Sequence, residues 1–351
     1  MEKQSHIGLI LSSPPGISET FLFRKINGLI ESGFRVSLFI CSQDEKMVKI
    51  DNPIEIHWQV NINKLTSVLL TFIKVLIISP TNFFRFIKLE RSSNRNLLNI
   101  FKNIVINSNI LLTKDLDWIH FEYAALGINR ENLGKAIYAK TACSFRGYDI
   151  CFFPYKTNKE CYDLLFKSVD KIHTISNDLH DKALSLGLDK SVKVSKIAPS
   201  INLEFYKNKN DKGIHKPIRI LTVARLHWVK GIDYAIDALK LLNDKEIKFE
   251  YVIIGEGIDY ELIAFSIYQS GIQDKIKLTG SQNQSQIIKY MKWADIYIQP
   301  SIQEGFCNAV LEAQAMGLLV IASDTGGLKE NIVNDYTGWL VPKRDSYSIY
   351  N

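Results

Sequence analysis

Hydrophobic positions along this chain alternate between short β-type runs and longer stretches with helical spacing. His6–Ser12 is a short apolar run, closed by the turn residues Pro14-Pro15-Gly16. Ser18 can cap a helix whose apolar positions Phe21, Leu22, Ile26, Leu29 and Ile30 recur every three or four residues. Gly33 ends it, and Phe34–Cys41 supplies the next strand. This βαβ opening predicts a doubly wound sheet. Further strands are predicted at Asp117–Phe121, Lys140–Phe145, Lys171–Ser176 and Val192–Ile197.

Pro199–Pro217 breaks the pattern with a polar stretch of no periodicity, so residues 201–216 are expected to link two domains, 1–200 and 217–351. Alternation then restarts. Strands are predicted at Ile218–Ala224, Phe249–Ile254, Lys275–Leu278, Ile296–Gln299, Leu318–Ala322 and Trp339–Val341. Helices are predicted between them, near 232–243, 259–270, 285–293, 308–316 and 327–334. The expected fold is α/β, with two Rossmann-like doubly wound domains facing each other across a cleft. The length of 351 residues allows two ordinary domains.

Charge adds one feature to this picture. The net charge is +6, and the window 61–105 alone carries +6, from Lys64, Lys74, Arg85, Lys88, Arg91, Arg95 and Lys102 against Glu90. A protein that coats nucleic acid would be basic throughout, so nucleic acid is not an expected partner. Within the window Leu65, Val68, Leu69, Phe72, Ile73, Leu76 and Ile77 follow amphipathic-helix spacing. The run is shorter than the roughly 20 apolar residues that a bilayer span needs. Two readings are open: a helix packed on the first sheet with its bases in water, or a patch that docks on an anionic membrane surface. Five scattered cysteines without a CxxC pair suggest a reducing compartment. Ile7–Leu11 is too short for a signal-peptide core, so a cytoplasmic location is expected, peripheral on the inner face of the plasma membrane if the patch docks there.

Candidate chemistry concentrates late in the chain. Glu304-Gly305-Phe306-Cys307-Asn308-Ala309-Val310-Leu311-Glu312 follows a predicted strand and opens a helix. Two carboxylates thereby bracket a glycine turn and a helix N-terminus, which suits a ligand carrying both phosphate and hydroxyls. Arg225 and Lys230 follow the strand Ile218–Ala224, where an open α/β sheet binds its ligands. Alone they are also compatible with two solvated loop bases. Gly255-Glu256-Gly257 and Thr325-Gly326-Gly327 are further turns at strand ends. There is no GxxxxGK[ST] loop, and the first βα turn has no GxGxxG, which argues against NTPases and dinucleotide dehydrogenases.

Taken together, Glu304 and Glu312 with seven residues between them, the Arg225…Lys230 pair and Gly255-Glu256-Gly257 resemble family 4 of the retaining glycosyltransferases, which have the GT-B fold. The segments Pro15-Gly16-Ile17-Ser18-Glu19-Thr20-Phe21 and Ser144-Phe145-Arg146-Gly147-Tyr148-Asp149 resemble the branch that builds exopolysaccharides such as colanic acid. The resemblance implies transfer of a sugar, with retention, from a nucleotide-diphosphate donor to a saccharide or lipid-linked acceptor. It implies that Arg225 and Lys230 hold the diphosphate, Glu304 a sugar hydroxyl and Glu312 the ribose. Gly16, Gly255, Gly257 and the backbone of Gly305, Phe306, Cys307, Asn308 and Ala309 would complete the donor pocket. No cofactor or metal is implied, since two cations already face the leaving diphosphate.

Two departures stand out. Arg146 occupies the place where the family usually has histidine, and it serves either to bind phosphate or as a structural base paired with Asp149. His120 is a third acceptor-side candidate, alongside Arg146 and Asp149. The family also usually continues well past the equivalent of Pro342, so the C-terminal domain is expected to be cut short. Competing readings are a nucleotide-sugar 2-epimerase of the same fold and a catalytically silent nucleotide-binding scaffold.

Overall fold

The computed structural model describes residues 4–15, 20–42, 54–206 and 213–351. It divides into two compact units, Met1–Ile197 and Ala198–Asn351. In the first, seven strands form an all-parallel sheet: β1 (His6–Leu11), β2 (Arg35–Ile40), β3 (Glu55–Trp58), β4 (Trp118–Phe121), β5 (Lys140–Phe145), β6 (Lys171–Thr174) and β7 (Lys193–Lys196). Their order is β3-β2-β1-β4-β5-β6-β7. The central strands are near-continuous apolar runs because helices cover both faces of such a sheet. Leu9, Leu11, Leu38 and Ile40 pack with Leu22 and Ile26 of the helix Thr20–Glu31, all of them almost fully buried. Gly33, at φ 85°, lets the chain leave that helix for β2.

The second unit repeats the winding with β8 (Ile218–Val223), β9 (Phe249–Ile254), β10 (Ile276–Leu278), β11 (Ile296–Gln299), β12 (Leu319–Asp324) and β13 (Trp339–Pro342), in the order β10-β9-β8-β11-β12-β13. Both sheets reverse direction between their first and fourth strands, at β1/β4 and at β8/β11. Ligands of open α/β sheets bind at the carboxyl ends of the strands beside such a reversal. At β8/β11 the ladder is short, pairing only Ile220 with Ile296 and Leu221 with Tyr297. Buried side chains then take over: Thr222 Oγ1 donates to Ile298 O at 2.7 Å, and Val223 N–H donates to the Tyr297 hydroxyl at 3.3 Å.

Three differences from the sequence expectations have local causes. β3 was not anticipated, because its four residues, Glu-Ile-His-Trp, form a half-buried edge with no apolar run. The segment read as helix 327–334 is a 3₁₀ turn, Gly326–Asn331. Within the segment read as a linker, Ile201 and Tyr206 pack into the core of the second unit.

Candidate functional site

Three loops meet at the carboxyl edge of the second sheet. Arg225 leaves β8 exposed, and among the described residues no carboxylate lies within ion-pair range of it. Lys230 closes a 3₁₀ turn, Trp228–Lys230, and Gly231 follows in the left-handed region at φ 59°. A Cβ on Gly231 would lie 2.2 Å from the Pro300 carbonyl oxygen, so glycine lets the β8 and β11 loops close together. That closure places Lys230 Nζ against Glu304 Oε1 in a largely buried ion pair. Burial alone would lower the lysine pKa; attraction to Glu304 outweighs it and leaves the ammonium more strongly protonated than usual.

Glu304 is held from beneath by a buried chain of side chains that the sequence did not disclose. Tyr297 OH donates to Gln299 Oε1 (2.8 Å), Gln299 Nε2 to Ser301 Oγ (2.8 Å), and Ser301 Oγ to Glu304 Oε1 (2.9 Å). Tyr297, Gln299 and Ser301 are fully buried. The Glu304 backbone is fixed as well, since its carbonyl accepts from Gly327 N–H at 2.9 Å. That N–H therefore serves the protein's own loop.

Beyond the buried Gly305 and half-buried Phe306, Cys307 is the cap residue of the helix Asn308–Ala315. Asn331 grips the Cys307 backbone from both sides, accepting its N–H (3.2 Å) and donating to its carbonyl (3.0 Å). Burial, reinforced by Glu304, pushes the Cys307 thiol up to about 12. It stays protonated and is no nucleophile. Asn308 and Ala309 form the first turn, and Glu312 lies one turn on from Asn308, so both point from the same side of the helix. Gly255 and Gly257 have a packing reason to be glycine. Cβ atoms there would lie 1.8 and 1.9 Å from the carbonyl oxygens of Ala224 and Leu226, so their bareness seats the loop that carries Arg225. Gly16 lies outside the described residues.

The acceptor-side candidates gather at the β1/β4 reversal of the first sheet, around a residue the sequence reading passed over. Glu122, fully buried just after β4, pairs with Lys25 of the helix Thr20–Glu31 and with Arg146 Nη2 at 2.7 Å. Burial would raise this carboxyl; its neighbours His120, Lys25 and Arg146 outweigh that and bring it down to about 2. Arg146 Nε also donates to the Glu122 carbonyl at 3.2 Å, and its guanidinium lies 4.0 Å over the Phe21 ring. Of the two readings of Arg146, the side-chain pairing with Asp149 is thus corrected: the partner is Glu122. Asp149 accepts instead from the backbone N–H groups of Ala124, Arg146 and Gly147, and so shapes the turn. His120 is not isolated either: Ser144 Oγ bridges its Nε2 (2.8 Å) to His173 Nδ1 (2.9 Å). Burial, with Lys25 adding to it, pushes His120 down to about 3, and burial pushes His173 down to about 4. Both rings are neutral near pH 7.

Among the described residues no group of three or more His, Cys, Asp or Glu could hold a metal ion. The run Asp115-Leu116-Asp117 lies at the amino end of β4, where Asp117 accepts from the His6 N–H at 2.8 Å. Elsewhere in the first unit a pocket of about 590 Å³ opens beside β3, lined by His57, Trp58, Lys74 and Lys114 among others; none of the candidate site residues lines it.

Known proteins resemble this chain in sequence and in fold. Residues 204–350 match the family model described as glycosyl transferases group 1, so nearly the whole second unit is similar to that family. The amylovoran biosynthesis glycosyltransferase AmsK of Erwinia amylovora is 32% identical over 242 residues, which are 67% of this chain and 59% of the relative. The chain therefore aligns with little more than half the length of that protein. The putative colanic acid biosynthesis glycosyltransferase WcaL of Escherichia coli is 24% identical over 98% of this chain and 88% of its own. Among solved structures, Anabaena HepE in complex with UDP superposes with a TM-score of 0.70 at 15% identity, covering 99% of this chain and 88% of that one. Sucrose-phosphate synthase from Thermosynechococcus elongatus gives 0.71 at 16% identity, with the same coverage. The fold is that of the GT-B glycosyltransferases.

Proposed function

We propose that this protein is a retaining glycosyltransferase of cell-surface polysaccharide synthesis, moving a sugar from a nucleotide-diphosphate donor to a saccharide or lipid-linked acceptor. One observation carries the reading: at the β8/β11 reversal Arg225, which has no carboxylate partner among the described residues, the Lys230–Glu304 pair and the N-terminus of the helix Asn308–Ala315, which has no side-chain cap hydrogen bond, come together. Arg225, Lys230 and Glu304 sum to one positive charge, as a site for an anion requires. The names of the group 1 family and of the relatives in amylovoran and colanic acid synthesis support the same class of reaction.

In this reading the diphosphate lies against Arg225 and Lys230. Negative charge that develops on it as the glycosidic C–O bond breaks is met by donors already in place. Glu304 accepts from a hydroxyl of the transferred sugar, and Glu312 from the ribose. The acceptor is bound by the first unit, where the neutral His120 ring and the exposed part of Lys25 face it while Arg146 holds Glu122 in place. Charge stabilisation comes from side chains, so the reaction proceeds without a metal.

A thermal-shift panel of nucleotide-sugars tests the site. Stabilisation by one or more donors is expected in the wild type and is lost in Arg225→Ala and Glu312→Ala; unchanged stabilisation in both variants refutes it. NMR of the first-formed product then reads the anomeric configuration, and inversion would rule out the retaining assignment.

A further inference from the structure

The helix Leu65–Ile78 is apolar on both sides, which a helix at a protein–water boundary should not be. Its inner side meets the protein through Val75, which is fully buried, and Phe72, whose ring packs on Phe83 and Phe101. Its outer side carries Leu65, Leu69, Leu70, Ile73 and Ile77, with Leu65 73% and Ile77 71% exposed. At 100° per residue these five fall within one contiguous arc, and Lys74 lies at its border. The amphipathic stripe read from the sequence mixed the two sides.

The next helix, Pro80–Ser92, continues the theme. Phe84, Lys88 and Arg91 are exposed at positions i, i+4 and i+7, and so share an outward face. The two helices are bent by 110° to one another, and among the described residues none is long and apolar enough to cross a membrane. Two of the bases in the window have internal duties. Arg85 donates to the Ala136 carbonyl and lies 3.4 Å over the Tyr138 ring, and Arg95 pairs with Glu90 and Glu131. Lys64, Lys74, Lys88 and Arg91 have no acidic partner among the described residues.

We infer that this face docks on the surface of an anionic lipid bilayer, the Leu/Ile ridge entering the headgroup–acyl boundary and the unpaired bases meeting lipid phosphates. Charge complementarity selects this occupant. A second copy of the chain, joined by a two-fold contact, would bring the same bases face to face. The inference goes beyond the proposed chemistry and does not depend on it.

Co-sedimentation of the whole chain with vesicles tests it, using phosphatidylcholine alone and phosphatidylcholine mixed with phosphatidylglycerol. Binding is expected to be on the order of 100-fold tighter to the anionic vesicles, and to weaken roughly fivefold for each of Lys74→Gln, Lys88→Gln and Arg91→Gln. Ile73→Gln combined with Ile77→Gln is expected to reduce it by on the order of 100-fold, with the thermal unfolding temperature unchanged because both side chains are exposed. Equal affinity for the two vesicle types, or none for either, overturns the inference. Self-association abolished by the Ile73/Ile77 variant, with no vesicle binding in the wild type, assigns the face to a second copy instead.

Discussion

Replacing Lys230 with methionine removes a charge whose partner is built into the fold. Glu304 is only 9% exposed, and its remaining side-chain donor is Ser301 Oγ at 2.9 Å. Breaking a buried pair from one side typically costs about 3–5 kcal/mol, because the other charge is left uncompensated. The Ser301 hydrogen bond survives, so the low end, about 3 kcal/mol, is the expected loss. Glu304→Gln in the Lys230→Met background removes the orphaned charge while keeping an acceptor for Ser301, and returns about 2 kcal/mol of it. Urea denaturation of the wild type, both single variants and the double variant gives this coupling directly, fitted to the transition of the second unit. Binding of nucleotide-sugar should remain lost in the double variant even though stability recovers. Single variants that each cost less than about 1 kcal/mol, in the range of an exposed pair, would refute the claim that the pair is buried and coupled.

Two further outcomes follow from named contacts. His120 and His173, held near 3 and 4, stay neutral in the fold but take up protons near 6.5 once unfolded. The unfolded state then binds more protons, so their contribution to stability is whole above pH 6.5 and is lost as pH falls towards 4. Thermal unfolding temperatures measured from pH 7.5 to 4.5 should fall with acid, and the slope should flatten in His120→Gln/His173→Gln; an unchanged slope would contradict the neutral assignment. Gly255→Ala forces a Cβ to within 1.8 Å of the Ala224 carbonyl oxygen at φ 146°. A loss of about 2 kcal/mol or more is expected in the same denaturation assay, with weaker donor binding because the Arg225 loop must move; a neutral effect would show that the loop yields.

Much of the fold was legible because parallel central strands are apolar on both faces and stand out as runs, as in Leu9–Leu11 or Val252–Ile254. β3 was hidden because an edge strand of four residues needs no such run. Arg225, Lys230 and Glu304 could be found since each lies in the loop just past a predicted strand. Glu122 lies just past β4 in the same way, but its importance depends on strand order, which is fixed by contacts distant in sequence. Lys25 sits on a helix that sequence periodicity describes only through its apolar side. The buried series Tyr297, Gln299, Ser301 alternates along β11 and its extension, a spacing that resembles any half-polar strand until its partners are known.

The two reversals share a charge pattern that neither sheet discloses alone. Each sets two cations and one buried carboxylate beside its reversal: Lys25 after β1, Glu122 after β4 and Arg146 after β5 in the first, and Arg225 and Lys230 after β8 with Glu304 after β11 in the second. In the first unit both cations bind the carboxylate, one at each oxygen, so that little of either is left for an outside anion. In the second, Lys230 is the one cation paired with Glu304 among the described residues, and Arg225 stands free of any carboxylate among them. A diphosphate that approached either centre would therefore meet a preformed guanidinium fork only in the second. This difference supports the proposed donor site in the second unit; in the first, the Arg146 fork holds Glu122, which leaves the neutral His120 ring and the exposed part of Lys25 as the groups open to a ligand.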